Sequence, residues 1–196
     1  MKISGIILAA GSSSRMPNQN KLLAKINGKT ILELVLDTAL MVDLSQVIVV
    51  LGSNAEQLSE LVIDYPVTLV INDEWEKGMS SSIKTGVEKL EDDINGTMII
   101  LGDMPGVRAN DLQLLLNKFV EHEYQKIVYP ARNNQQGHPV IFPKKFFKEL
   151  VLLTGDRGAK SILNEKNTIG VNINSQGIIM DIDTESDLKT FLSQKT

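Results

Sequence analysis

The stretch from Ile3 to Lys21 reads ISGIILAAGSSSRMPNQNK. It is apolar without a break from Ile6 to Ala10, then becomes small, polar and cationic. Such a change of character reads as a buried strand, Ile3–Leu8, opening into a loop from Gly11 to Asn20. The apolar run is far short of the ~20 residues that cross a bilayer, and too short for a signal-peptide core. The strand signature returns at Gln46–Leu51 (QVIVVL) and Thr97–Leu101 (TMIIL), as expected of strands covered on both faces.

Helical patterns lie between these strands. Thr30 stands three residues before Glu33, the capping-box spacing, and Ile31, Leu34, Val35 and Val42 share one helical face. Gly28-Lys29-Thr30 therefore reads as a turn followed by a helix cap. Its likeness to a Walker motif fails because Leu23 stands where the first glycine belongs. Further helices are predicted over Ala55–Ile63, over Ser81–Leu90, and after an Asn110 cap leading into Leu112, Leu115, Leu116 and Phe119. Strands are predicted at Val67–Ile71, Lys126–Tyr129 and Val140–Phe142. A helix over Lys144–Leu153, short strands near Ile169 and Ile178, and a helix from Glu185 complete the chain. Strands alternating with helices imply an α/β fold with a mostly parallel central sheet and right-handed crossovers. No linker, repeat or low-complexity segment interrupts residues 1–196, which read as a single domain.

Composition excludes several kinds of chemistry. The chain has no cysteine, so disulfides, thiolate metal sites and a cysteine nucleophile are ruled out. Its two histidines, His122 and His138, are too far apart for a local metal motif. The net charge of −4 argues against nucleic acid as a partner, and no apolar run suits a membrane. A cytoplasmic address is expected.

In a parallel sheet, ligands bind beyond the carboxyl ends of the strands, so the loops there carry the information. Three of them are chemically unusual. In the first, Leu8, Ala9, Ala10, Gly11, Ser12 and Ser13 let backbone approach a ligand closely, and Arg15 and Lys21 add two cations. A phosphate chain matches that arrangement; so does a flexible Ser-rich turn with solvated charges. In the second, Asp103 closes the TMIIL strand in Gly102-Asp103-Met104-Pro105, where it suits either a hard cation such as Mg2+ or a turn cap. In the third, Gly78, Ser80, Ser81 and Ser82 lead into a helix, with Ser80 as its expected N-cap. Trp75 beside them reads as a packing residue.

Taken together, LAAGSSSRM…K, GMSSSIKTGV, LGDMPGV, GHPVIF and GDRGAKSIL resemble the MobA-like nucleotidyltransferases that act on the molybdenum cofactor. The GMSSS, GHPV and GDRGA elements are similar to those of the cytidylyltransferase branch. The resemblance spans about Ile6 to Leu188. It implies a three-layer Rossmann-like nucleotidyltransferase fold and transfer of CMP from CTP to molybdopterin cofactor, with release of pyrophosphate. By that resemblance Leu8 to Ser13, Arg15, Lys21, Gly78, Ser80 to Ser82 and Asp103 hold the nucleotide. Arg15, Lys21 and Asp103 serve the reaction. Asp103 binds Mg2+, with Asp183, or less favourably Asp181, as a second carboxylate. Gly137, His138 and Arg157 face the acceptor, and a molybdenum hydroxylase receives the product. LAAG, rather than the LAGG of guanylyl-transferring relatives, implies CTP. Two departures stand out: Pro17 replaces a glycine of the first motif, and Glu185 a proline before the last helix. Transfer of another nucleotide, such as guanylyl transfer, another acceptor such as a sugar or polyol phosphate, a redox enzyme on the same fold and a non-catalytic cofactor chaperone remain as competing readings. The absence of GxGxxG weighs against the redox enzyme.

Overall fold

The computed structural model describes residues 2–13, 16, 20–156 and 158–193. The central strand β1 (Ile3–Ala9) lies between β4 (Gln46–Leu51) and β6 (Gly96–Leu101), parallel to both. Beyond β4, β5 (Thr68–Ile71) forms one edge of the sheet. On the other side β9 (Val140–Pro143) runs antiparallel to β6, followed by β7 (Ile127–Arg132) and then β10 (Thr168–Asn172). β8 (Gln135–Gln136) pairs with the end of β7, and β2 (Lys25–Ile26) and β3 (Lys29–Thr30) form a separate small hairpin. Asn27 and Gly28 make its turn with φ of 52° and 89°, the left-handed pair a tight hairpin turn requires.

The uninterrupted apolar strands follow from burial on both faces. Along β4, Val47, Val49 and Leu51 join one core cluster, and Ile48 and Val50 the other. The first cluster packs α1 (Ile31–Leu40), α2 (Ala55–Val62) and α4 (Ala109–Glu121) against the sheet through Leu36, Leu58 and Phe119. The second packs α3 (Met79–Val87) and α5 (Phe147–Val151) through Ile83 and Leu150. The last helix, α6 (Glu185–Ser193), reaches the first cluster with Phe191. The result is the expected three-layer α/β arrangement. No helix among the described residues is long and apolar enough to cross a membrane.

Several local expectations need correction. The Thr30 capping box forms as predicted, with Glu33 accepting from Thr30 N at 2.7 Å. Asn110 is not the cap of α4; Arg108 is, because buried Asp111 reaches back to accept from Arg108 N at 3.1 Å. Ser80 is likewise inside α3, whose N-cap is Gly78, and α3 ends at Val87 rather than Leu90. The strand expected near Ile178 is a 3-10 turn, Gln176–Ile178, because Ile178 is drawn into the core while its carbonyl accepts from His138 N at 2.8 Å. The helix expected over Lys144–Leu153 is split into a 3-10 turn, Lys144–Phe146, and α5.

Candidate active site

Chain order reverses around β1: β4 and β5 extend the sheet to one side, β6 to the other. The crevice beyond the carboxyl ends of β1 and β6 is therefore the switch point where such sheets bind ligands. The loop leaving β1 is held by its own polar groups. Ser13, at φ 52°, donates through Oγ to Asn20 Oδ1 (3.0 Å) and accepts from Lys21 N (3.1 Å). Asn20 Oδ1 also accepts from Leu22 N at 2.9 Å, which starts the 3-10 turn Lys21–Leu23. Arg15, predicted in this loop, lies outside the described residues, as does Pro17.

Lys21 is only 13% exposed in its side chain, so it is no solvated surface lysine. Its ammonium lies 2.5 Å from Asp103 Oδ2 and 2.6 Å from Asp183 Oδ1. Burial pushes its pKa down, but Asp103 and Asp183 together outweigh burial and raise it. Asp103 is carried by the turn after β6, where Gly102 N donates to Leu8 O at 2.9 Å. The C-terminal segment joins it through Ile182 N, which donates to Asp103 O at 2.9 Å. That backbone contact sets Asp181 and Asp183 beside Asp103. One oxygen from each of the three lies within 4.8 Å of the others. Asp103 Oδ1 is buried without a hydrogen-bond partner among the described residues. Glu185, where a proline was expected, opens α6 without disruption, since Thr184 N donates to Asp187 Oδ2 at 2.7 Å.

The third predicted loop closes the far wall. Gly78 has φ 98°, and a Cβ there would run into Asp156 Oδ1 and the Gly155 backbone. Asp156 Oδ1 accepts from Met79 N at 3.2 Å, and Gly155 O from Ser80 N at 3.2 Å. Buried Asn72, at the end of β5, donates to Ser81 Oγ (2.8 Å) and Ser82 Oγ (3.0 Å).

These loops enclose a cavity of about 460 Å³. Leu8, Ala9, Ala10, Gly11, Ser12, Lys21, Gly78, Ser82 and Asp103 line it, as do Trp75, Asp156, Asp181 and Asp183. Ser13, Ser80 and Ser81 stand behind its wall, in the hydrogen bonds just described. A second cavity of about 220 Å³ adjoins it, sharing Met79, Leu101 and Asp156. Its walls are largely apolar, with Ile83, Ile99, Val140 and Phe142, and His138 faces it. Gly137 is buried beside His138 and donates to Pro130 O at 2.8 Å; Arg157 lies outside the described residues. The His138–Pro139 bond is cis, and His138 Nδ1 is buried without a partner among the described residues. Burial holds the His138 pKa below its ordinary value, while Asp103 and Asp181 pull it partly back.

Asn72 and the α3-capping role of Asp156 were not foreseen. Asn72 follows a strand at its carboxyl end, a position that could have drawn attention; the Asp156 contact spans 77 residues of sequence and leaves no local signal.

Residues 5–169 match the MobA-like NTP transferase domain. The chain is 27% identical to the molybdenum cofactor cytidylyltransferase of Escherichia coli over 189 residues, 96% of this chain and 94% of that protein. It is also 27% identical to the nicotine blue oxidoreductase of Paenarthrobacter nicotinovorans over 169 residues, 84% of this chain and 82% of that protein. Among solved structures, the homologue of Mycobacterium tuberculosis Rv0371c from Mycobacterium sp. strain JC1 superimposes with a TM-score of 0.86. The two are 25% identical, and the match covers 99% of this chain and 98% of that one.

Proposed function

Because the chain belongs to the MobA-like NTP transferase family and is a nucleotidyltransferase, we propose that it transfers CMP from CTP to molybdopterin cofactor in the cytoplasm. The observation that carries this reading is the pair of adjoining cavities, with acidic groups in the lining of the larger. The larger is polar, with Lys21 set among the carboxylates Asp103, Asp181 and Asp183, and suits a triphosphate that arrives with a divalent cation; the smaller is walled largely by apolar side chains and suits a flat heterocycle. Similarity to the Escherichia coli cytidylyltransferase supports the choice of acceptor.

The backbone from Ala9 to Ser12 receives the base and phosphates, since small side chains leave its N–H groups accessible. Lys21, and Arg15 by its place in the same motif, offset the charge of the triphosphate and of the departing pyrophosphate. The attacking group is a phosphate oxygen of the acceptor, already ionised near neutral pH. It attacks the α-phosphorus of CTP, the α–β P–O bond breaks, and pyrophosphate leaves. No side chain has to remove a proton, so catalysis rests on positioning and charge. His138 faces the acceptor, Gly137 is the buried residue that sets its backbone, and Arg157 is assigned to the acceptor by its motif alone. The product would pass to a molybdenum hydroxylase.

The family reading implies a divalent cation, and the donor set fits one. Asp103, Asp181 and Asp183 offer only oxygens, as a hard ion prefers, and Asp103 Oδ1 is a buried acceptor in need of a partner. We assign Mg2+ to Asp103 and Asp183, with Asp181 beside them. When bound, it would offset negative charge on the phosphate oxygens.

The test is a thermal-shift panel with CTP, GTP, ATP and NADH, each with and without Mg2+, followed by pyrophosphate release with molybdopterin cofactor. Selective stabilisation by CTP and release of pyrophosphate are expected. Stabilisation by NADH alone would favour a redox role like that named for the Paenarthrobacter relative and overturn the proposal.

A further inference from the structure

Lys21 makes contacts that a triphosphate clamp does not require. Its ammonium binds Asp103 Oδ2 and Asp183 Oδ1, one oxygen on each of the two carboxylates assigned to the metal. An ammonium and a divalent cation compete for the same oxygens, and with both cations at one pair of acids their charges repel. The backbone of Lys21 is fixed, because its N–H donates to Ser13 Oγ and Asn20 caps the turn it begins. Its side chain, however, is long and rotatable, and it lines the same cavity as Ala10, Gly11 and Ser12. The ammonium therefore has two sets of anions within reach of one anchored Cα: the carboxylates and a triphosphate.

We propose that Lys21 is an exchangeable counter-ion of the metal site, holding Asp103 and Asp183 until a triphosphate takes its ammonium. Tight metal binding is then conditional on nucleotide. This rests on the metal assignment made above. The three acids cluster closely, and the ammonium of Lys21 relieves their mutual repulsion at Asp103 and Asp183. Linkage makes the effect reciprocal: if nucleotide tightens metal binding by some factor, metal tightens nucleotide binding by the same factor. The device would keep the acids paired in a nucleotide-free enzyme and make the site selective for cation and triphosphate arriving together.

The experiment titrates Mn2+ alone, by electron paramagnetic resonance, into the full chain and into Lys21→Met and Lys21→Gln. Both variants remove the charge, and the second retains a hydrogen-bonding group should the first fold poorly. Without nucleotide, the variants should bind Mn2+ on the order of tenfold more tightly than the parent, a difference of about 1.4 kcal/mol. Mn2+ should also raise their thermal midpoints by more than it raises the parent's. A non-hydrolysable CTP analogue, after correction for Mn2+ held by free nucleotide, should tighten Mn2+ binding in the parent and much less in the variants. Equal or weaker Mn2+ binding in the variants overturns the exchange while leaving the metal site standing. Failure of every protein to bind Mn2+, with CTP still bound, overturns the metal assignment and the exchange together. Tightened binding that persists when Asp103→Asn is added to Lys21→Met places the ion elsewhere and also overturns it.

Discussion

The two joined cavities are built in opposite ways. The larger takes much of its wall from loops pinned by small sets of polar contacts, such as Ser13 to Lys21, Ile182 to Asp103 and Asp156 to Met79. The smaller takes its apolar floor from β6, β9 and α3, through Ile99, Phe142 and Ile83, which belong to a core cluster. Charge is thus held where the backbone is irregular and apolar surface where it is regular. Charged side chains need partners and water that a packed strand interior denies them, whereas apolar side chains need neighbours that a loop does not supply. It follows that substitutions in the first cavity should change chemistry with little change in stability, and substitutions in the second should change stability first.

The sharpest expected break is at Asp103. Asp103→Asn keeps the shape of the side chain and removes its charge. Lys21 and the loop N–H groups still hold nucleotide, so CTP binding should survive in weakened form. Pyrophosphate release should fall by roughly a thousandfold or more, equivalent to about 4 kcal/mol at the transition state. Parallel calorimetric titration with CTP and a pyrophosphate assay separate the two quantities. Unchanged release would remove Asp103 from the reaction.

Phe142→Ala tests the other side of the contrast. Phe142 is 1% exposed and lines the small cavity from within the core. Truncation should cost about 3–5 kcal/mol of folding stability, read as a lower midpoint in urea, whatever it does to the acceptor. A variant as stable as the parent would show that this wall is not part of a close-packed core.

Lys21→Ala comes next. Loss of charge-assisted hydrogen bonds worth about 1.5–3 kcal/mol should weaken CTP binding roughly ten- to a hundredfold when Mg2+ is present. Arg15→Ala, in the same motif, should act in the same direction. Wild-type CTP affinity in both variants would exclude these cations from the nucleotide site.

The same division explains what could be read from the sequence. β1, β4 and β6 were legible because burial on both faces demands unbroken apolar runs, and the residues after β1 and β6 followed from the carboxyl-end rule. The antiparallel course of β9 was not legible, since strand direction leaves no trace in local periodicity. Ile178 misled for a related reason: a buried isoleucine in a 3-10 turn carries the same local signal as one in a short strand. In the site, Asp103 announced itself as a carboxylate at the end of an apolar strand. Its pairing with Asp183 depends on a backbone contact between distant segments, and the bond from Asn72 to Ser82 depends on how the loop after β5 folds back. Neither is a property of any short stretch.

The smallest expected effect, on pH dependence, tests the small cavity through its one titratable ring. Burial lowers the pKa of His138 in the folded protein, and Asp103 and Asp181, the charged groups acting on it, recover only part of that loss. In the unfolded chain the imidazole titrates near its ordinary value of about 6.5. As pH falls through that value the unfolded chain takes up a proton that the folded chain still refuses, so protonation favours unfolding. The penalty grows until pH reaches the lowered folded-state pKa and is constant below it. His138→Gln removes this term and leaves the carboxylates to titrate as before. The difference in unfolding free energy, parent minus variant, should therefore decrease as pH is taken from about 7.5 to about 5.5, with the variant losing less stability. A difference that does not change with pH would mean that water or a neighbouring acceptor reaches the ring and that the cavity is wetter than its walls suggest. A difference that changes the other way would mean that the two acids outweigh burial, in which case the small cavity shares the electrostatics of the large one and the contrast between them fails.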